Sequence, residues 1–168
     1  FFGIAISEYK ESSKFVLGFC NIIYTIPCIS LLGFLLPVSG IGNTTAVIAL
    51  IIYALLPIIR NTYTGMTEID ASMIEAAKGM GCTRFQLIYK VKFPLALPVI
   101  LAGFRNMVVM TISLAGIASY IGAGGLGLAI YRGITTNNQT MTVAGSLLIA
   151  LLAILLDFLI GAYEKHLK

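Results

Sequence analysis

The chain has 168 residues, of which 58% are hydrophobic and 11% charged. A water-soluble domain of this length cannot hide that much apolar side chain, so the composition points to lipid as the solvent. Eleven Lys and Arg stand against seven Asp and Glu for a net +4; with no run of aromatics among them they do not suggest nucleic acid, and they read as residues that set membrane orientation.

In chain order, Phe1–Ile6 is apolar and the charged run Glu8–Lys14 follows. Six residues are too few for a signal peptide, and no basic n-region precedes them. The pattern predicts the tail of a spanning helix that starts before Phe1. Four longer apolar stretches come next, at about 15–36, 44–59, 95–121 and 141–160. A helix needs roughly 20 apolar residues to cross the hydrocarbon core, with about 17–25 tolerated. The second stretch is short, and Asn61, Thr62 and Tyr63 extend it through the interface. A soluble helical bundle would keep a polar face on each helix, whereas Leu147–Leu156 contains no polar residue. The expectation is an all-α polytopic transmembrane bundle, one membrane domain over 1–168, with four complete spans and the end of an earlier one. Pro27, Pro57 and Pro98 are expected to kink or end their helices.

The charges orient these spans. If the segment between the second and third spans is cytoplasmic, Lys10, Lys14, Arg60, Lys78, Arg84, Lys90, Lys92, Lys165 and Lys168 all lie inside. Arg132 alone lies outside, and Arg105 lies within a span. The positive-inside rule requires this sense.

The segment 61–93 is then a cytoplasmic loop with helical signals of its own. Asp70 or Thr67 can cap its first helix. Met73, Ala76, Ala77 and Met80 recur at i, i+3, i+4 and i+7 as one apolar stripe, with Glu75 and Lys78 pointing elsewhere. Gly79 and Gly81 end that helix, Gly81 in a turn where a side chain is expected to clash. Thr83 and Gln86 frame a capping box that opens a second short helix. Pro94 starts the third span, since the residue before a proline avoids the helical region.

Glu75-Ala76-Ala77, three residues, Gly81, nine residues and Val91-x-Phe93-Pro94 resemble the EAA loop of type I ABC importer permeases, whose pattern is E-A-A-x(3)-G-x(9)-I-x-L-P. Val91 and Phe93 stand in for the Ile and Leu. Pro57–Gly65, Glu75–Gly81, Leu95–Ile100 and Ile121–Gly127 resemble in particular the permeases of glycine betaine/carnitine/choline (osmoprotectant) importers. The resemblance implies that Glu75, Ala76, Ala77, Met80, Gly81 and Pro94 form a coupling loop that docks on a cytosolic ABC ATPase pair. It implies a second permease subunit, identical or related, and an extracellular or periplasmic solute-binding protein. ATP and Mg would be bound by the partner ATPase, with no cofactor in this chain, and the setting would be a bacterial cell membrane. Transport would proceed by alternating access, with no chemistry on the solute.

Other signals are weaker. Gly122, Gly124 and Gly127 satisfy G-x-G-x-x-G, a pattern that marks a dinucleotide site only after a strand and before a helix. Here it follows a span, and no Walker A motif occurs anywhere. By resemblance Gly122, Gly124 and Gly125 border the translocation path; the plainer alternative is an external turn. Arg105, about 15 Å into its span at 1.5 Å per residue, is either a path or interface residue or a structural charge. Asp157 is close to the end of its own span, so the two depths do not match well. Asn106, Thr111 and Ser113 make the same helix the best candidate path wall. Tyr24, Tyr53 and Tyr120 are interfacial anchors, packing residues or faces for a quaternary ammonium. Cys20, Cys28 and Cys82 lack metal-ligand spacing, and His166 is the only histidine, so no metal site is expected. The competing readings are a permease of the same class for an amino acid or bile-related compound, and a secondary transporter or channel subunit. The latter often carries intramembrane acids for ion coupling, and only Asp157 answers to that. A membrane enzyme lacks any catalytic cluster.

Overall fold

The computed structural model describes residues 3, 4, 7 and 10–166, without the side chains of 10–12, 165 and 166. The expected tail of an earlier span lies outside the described residues apart from Gly3 and Ile4. So do Lys168 and the side chains of Lys10, Lys165 and His166. Helices α1 (Lys10–Thr25), α2 (Cys28–Ser39), α3 (Asn43–Thr67), α4 (Ala71–Gly79) and α5 (Arg84–Gln86) are followed by a π-helical turn at Leu87–Lys92. Then come α6 (Phe93–Ile117), a 3-10 turn at Ala118–Ile121, α7 (Gly127–Thr135) and α8 (Gln139–His166). Among the described residues there is no strand.

Three helical runs are long and apolar enough to cross a membrane: Asn43–Thr67, Arg84–Ile121 and Gln139–Glu164. The first expected span is instead a bent pair, because α1 and α2 meet at 96°. Pro27 explains the break. It has no N–H to give, it disfavours a helical residue before it, and it sits extended at φ −59°, ψ 140°. Tyr53 repairs the damage: its buried hydroxyl donates to the Ile26 carbonyl at the break. Pro57 and Pro98, by contrast, lie inside α3 and α6 and end neither.

Helix α3 runs four residues beyond Tyr63, to Thr67, so the 61–93 segment begins as helix. Arg60 lies within α3, and Thr67 closes α3 rather than capping α4. The third span also differs from expectation. Phe93, before Pro94, is helical at φ −63°, ψ −47°, so α5 and α6 fuse into the continuous run Arg84–Ile121. The reason is the π turn. The Phe93 N–H bonds the Ile88 carbonyl, one residue further back than in an α-helix. This wider turn beneath the proline ring relieves the clash that an ordinary turn would impose.

Beside a core cluster of Leu31, Leu32, Ala49 and Tyr53, the helices are held by close approach at small residues, as expected where lipid supplies no hydrophobic drive between helices. α3 and α6 are the most extensively paired helices. Gly65 meets the Ala96 side chain, and Gly103 lies so close to Asn61 that an added Cβ would stand 2.4 Å from the Asn61 Cβ. α7 lies along α8, where Gly133 faces Thr142 and Gly145 faces Ala129. The outer face of α8 carries Val143, Leu147, Leu151, Ile154 and Phe158, all exposed, as suits a helix surface facing lipid.

Candidate functional site

The segment joining α3 to the third span is built by local capping. Asp70 caps α4: its Oδ1 accepts the Ser72 N–H at 2.9 Å. That bond holds the Asp70 carboxyl below the usual carboxylate range. The far end closes as a Schellman turn. The Cys82 N–H bonds the Ala77 carbonyl at 3.2 Å, and the Gly81 N–H bonds the Lys78 carbonyl at 2.9 Å. Gly81 takes φ +80°, yet a Cβ there would meet nothing within 4 Å. Its need is thus the left-handed backbone and not the crowding expected from the sequence. Thr83 then opens α5 with the expected capping box. Its Oγ1 accepts the Gln86 N–H at 3.3 Å, and Gln86 Oε1 accepts the Thr83 N–H at 2.9 Å.

The apolar stripe divides. Ala77 is buried and α4 packs on the π turn, whose Leu87 is also buried. Ala76 is exposed, as are Met73 at 50% and Met80 at 79%. A nine-residue helix therefore turns one small residue inward and leaves Met73, Ala76 and Met80 outward, with Glu75 exposed beside them. Phe85 and Tyr89 are also exposed, with ring centroids 4.5 Å apart. The sequence reading passed over this pair, although i, i+4 spacing is its signal. Pro94 lies away from α4, at the start of α6. Its part is to join α4 and α5, through the π turn, to the membrane helix.

The candidate path residues do not form one wall. Arg105 turns to α8, where Nε and Nη2 both bond Asp157 in a fork, the second bond at 2.5 Å. The expected mismatch of depth disappears because α8 continues nine residues past Asp157, to His166. Gly161 leaves room for the guanidinium, since a Cβ there would lie 3.1 Å from Nη1. Asn106 and Ser113, seven residues apart and both exposed, share another face of α6. Thr111 is turned away from them and bonds the Met107 carbonyl at 2.7 Å. Ser113 lines a groove of about 370 Å³ with Tyr120, Ile130 and Ser146. Among the tyrosines, Tyr53 is buried and spent on the α1–α2 break, Tyr24 gives its hydroxyl to the Met110 sulfur at 3.6 Å, and Tyr120 stacks edge-on with Tyr131.

Gly122–Gly127 follows a helix rather than a strand, which removes the dinucleotide-site context. Gly122 and Gly125 take φ +79° and +97°, and the Gly124 N–H donates to Asn43 Oδ1 at 3.0 Å. The segment is thereby tied to the first residue of α3. No group of His, Cys, Asp and Glu able to hold a metal occurs among the described residues.

The whole chain, residues 1–168, matches the family described as binding-protein-dependent transport system inner membrane component. A glycine betaine/carnitine/choline transport system permease protein, OpuCD of Bacillus subtilis (strain 168), is 43% identical over 99% of this chain and 73% of its own length. The ergothioneine transport permease/ergothioneine binding protein EgtU of Helicobacter pylori (strain G27) is also 43% identical, over 98% of this chain. This chain spans 31% of that longer protein. A chain of the MetNI methionine ABC transporter, solved in an inward-facing conformation, superposes with a TM-score of 0.89 at 25% identity, covering 99% of this chain and 84% of that one.

Proposed function

The chain belongs to the binding-protein-dependent transport system inner membrane components, and from that premise we propose that it is the permease through which an ABC importer takes up a small trimethylammonium solute of the glycine betaine, carnitine or choline type. One observation carries the coupling part of this reading. α4 is capped at both ends and rigidly seated, yet its Met73–Ala76–Met80 face is left outward on a segment fused to a membrane helix. Such a face suits docking on a cytosolic ATPase pair that binds ATP and Mg. Glu75, Ala76, Ala77, Met80 and Gly81 form the coupling helix and its turn, and Pro94 lies in the joint to α6.

In this reading the 61–93 segment and the C-terminus are cytoplasmic, and the membrane is the bacterial cell membrane. A second permease chain, identical or related, completes the path, and a binding protein delivers the solute from outside. The path runs past Asn106 and Ser113 and the Gly122–Gly125 segment. ATP binding favours one global state and hydrolysis resets it. The likeness to the Helicobacter protein supports a second candidate solute, ergothioneine, which is itself a trimethylammonium carboxylate.

The experiment is uptake of labelled glycine betaine, carnitine, choline and ergothioneine by cells with and without this gene at high salt. Gene-dependent, vanadate-sensitive uptake of at least one is expected. Uptake that vanadate spares but an ion-gradient uncoupler abolishes would replace this reading with a secondary transporter.

A further inference from the structure

Arg60 of α3 and Arg105 of α6 differ. Arg105 is neutralised by the Asp157 fork. Arg60 has no acidic partner among the described residues. It sits seven residues before the end of α3, about 10 Å along the axis at 1.5 Å per residue. At the start of the proposed cytoplasmic segment, an exposed cation can serve a bound anion where it faces a cavity. Arg60 does face one. With Cys20, Asn21, Tyr24 and Asn61 it lines a cavity of about 150 Å³ between α1 and α3, and no acidic side chain among the described residues lines it.

The walls of this cavity are fixed. Asn61 donates to the Pro57 carbonyl at 2.8 Å and is pressed against Gly103 of α6. Tyr24 is tied to Met110 of α6 and meets Tyr53 edge-on, with centroids 6.4 Å apart. A guanidinium presents a planar fork that fits a carboxylate. An aromatic face attracts a quaternary ammonium. Arg60 and Tyr24 are thus one group for each end of a small zwitterion.

We infer that the cavity between α1 and α3 is a binding site on the solute path for trimethylammonium carboxylates, with Arg60 holding the carboxylate and the Tyr24 ring facing the ammonium. This rests on the function proposed above and deepens it. Glycine betaine, carnitine and ergothioneine carry both groups, whereas choline has no carboxylate. Arg60 therefore separates the first three from the last.

The test uses the complete importer, with its ATPase and binding protein, in proteoliposomes. Initial uptake of glycine betaine, carnitine, ergothioneine and choline is measured for wild type, R60Q and R60K at saturating binding protein. Losing a charge-assisted fork should lower the R60Q rates for the carboxylated solutes by roughly tenfold, with R60K recovering part and choline changing by less than about twofold. A second readout does not need transport. With Cys28 and Cys82 replaced by Ser, glycine betaine should slow alkylation of the native Cys20. Choline at the same concentration should not, and R60Q should abolish the protection. Protection decides the matter where choline is not transported. Where R60Q does not assemble, R60K must still lose rate for the carboxylated solutes. Uptake of all solutes falling alike, without a change in Cys20 protection, would assign Arg60 to a lipid phosphate and overturn the inference. Unchanged glycine betaine uptake in R60Q would overturn it too and leave the proposed function standing. A wild type that takes up none of these solutes overturns both.

Discussion

Small residues serve opposite purposes in the α3–α6 interface and on α4. In the membrane, Gly65 and Gly103 allow α3 and α6 to close until Ala96 and Asn61 fill the space that a Cβ would take. On α4, Ala77 closes inward in the same way, but Ala76 stays exposed between Met73 and Met80. The first surface is complete within this chain. The second is left open, and in the proposed function an ATPase completes it. Damage to the first should therefore remove the protein, and damage to the second should leave the protein and remove its activity.

The largest expected effect tests the closed surface. Gly103→Leu places a branched side chain where even a Cβ would lie 2.4 Å from Asn61. Neither helix backbone can yield locally, so the cost should reach or exceed about 3 kcal/mol, the upper range for overpacking. Loss of monodisperse protein on gel filtration in detergent is the expected outcome. A well-behaved Gly103→Leu protein would show that α3 and α6 are not closed as described.

Next in size are changes at the open surface. Gly81→Asp puts a side chain on a backbone at φ +80°, a conformation that costs L-residues roughly 1–2 kcal/mol. Glu75→Arg reverses a charge on the exposed side of α4. Both should abolish uptake while leaving the amount of protein in the membrane unchanged. Co-purification of the ATPase is the check. Normal ATPase association and normal transport in both variants would remove α4 from the coupling role.

The two surfaces were unequally legible. Spacing alone located α4, a cap at Asp70 or Thr67, an end at Gly79 and Gly81 and the Thr83–Gln86 capping box, because caps are local chemistry; the structure chose Asp70 and the Gly81 turn. Which side of α4 faces inward was not legible. Met73, Ala76, Ala77 and Met80 are one stripe by periodicity, and only the packing of α4 on the π turn sets Ala77 apart from the rest. The prolines show the same limit. Pro27 breaks a helix and Pro94 does not, and the difference lies in the π register beneath Pro94, which no residue type announces. Tyr53 was open between anchor, packing and ligand face until its burial and the break it repairs gave it a place.

A moderate effect is expected at the fork between α6 and α8, which is closed within this chain but by charge. Asp157→Asn leaves the Arg105 guanidinium without its acid and should lower the thermal midpoint of the detergent-solubilised protein. It should do less damage than Gly103→Leu, because both side chains are about one-third exposed. The exchange Arg105→Asp with Asp157→Arg should recover most of the loss. An exchange no better than Asp157→Asn would show that the fork's geometry, including the room left by Gly161, matters beyond its charge.

The smallest effect concerns whether α4 holds its shape before anything docks on it. The Ser72 N–H keeps the Asp70 carboxyl below its ordinary value. A depressed carboxyl stabilises the folded form fully above the unfolded value of about 3.9, and that stabilisation fades as pH falls through the folded value. Between pH 7 and pH 5 this group should therefore change nothing, and the loss should begin only below about pH 4. Hydrogen-exchange protection of the α4 amides in the isolated permease, corrected for intrinsic exchange, is the measurement. Asp70→Asn keeps a capping oxygen without the titration, so its protection should be flat where the wild type falls; Asp70→Ala should be less protected at every pH. If α4 shows no protection at neutral pH without the ATPase, the helix is not pre-formed by its caps. The outward Met73–Ala76–Met80 face would then be a product of docking, and the contrast between the two surfaces would lie in timing rather than in structure.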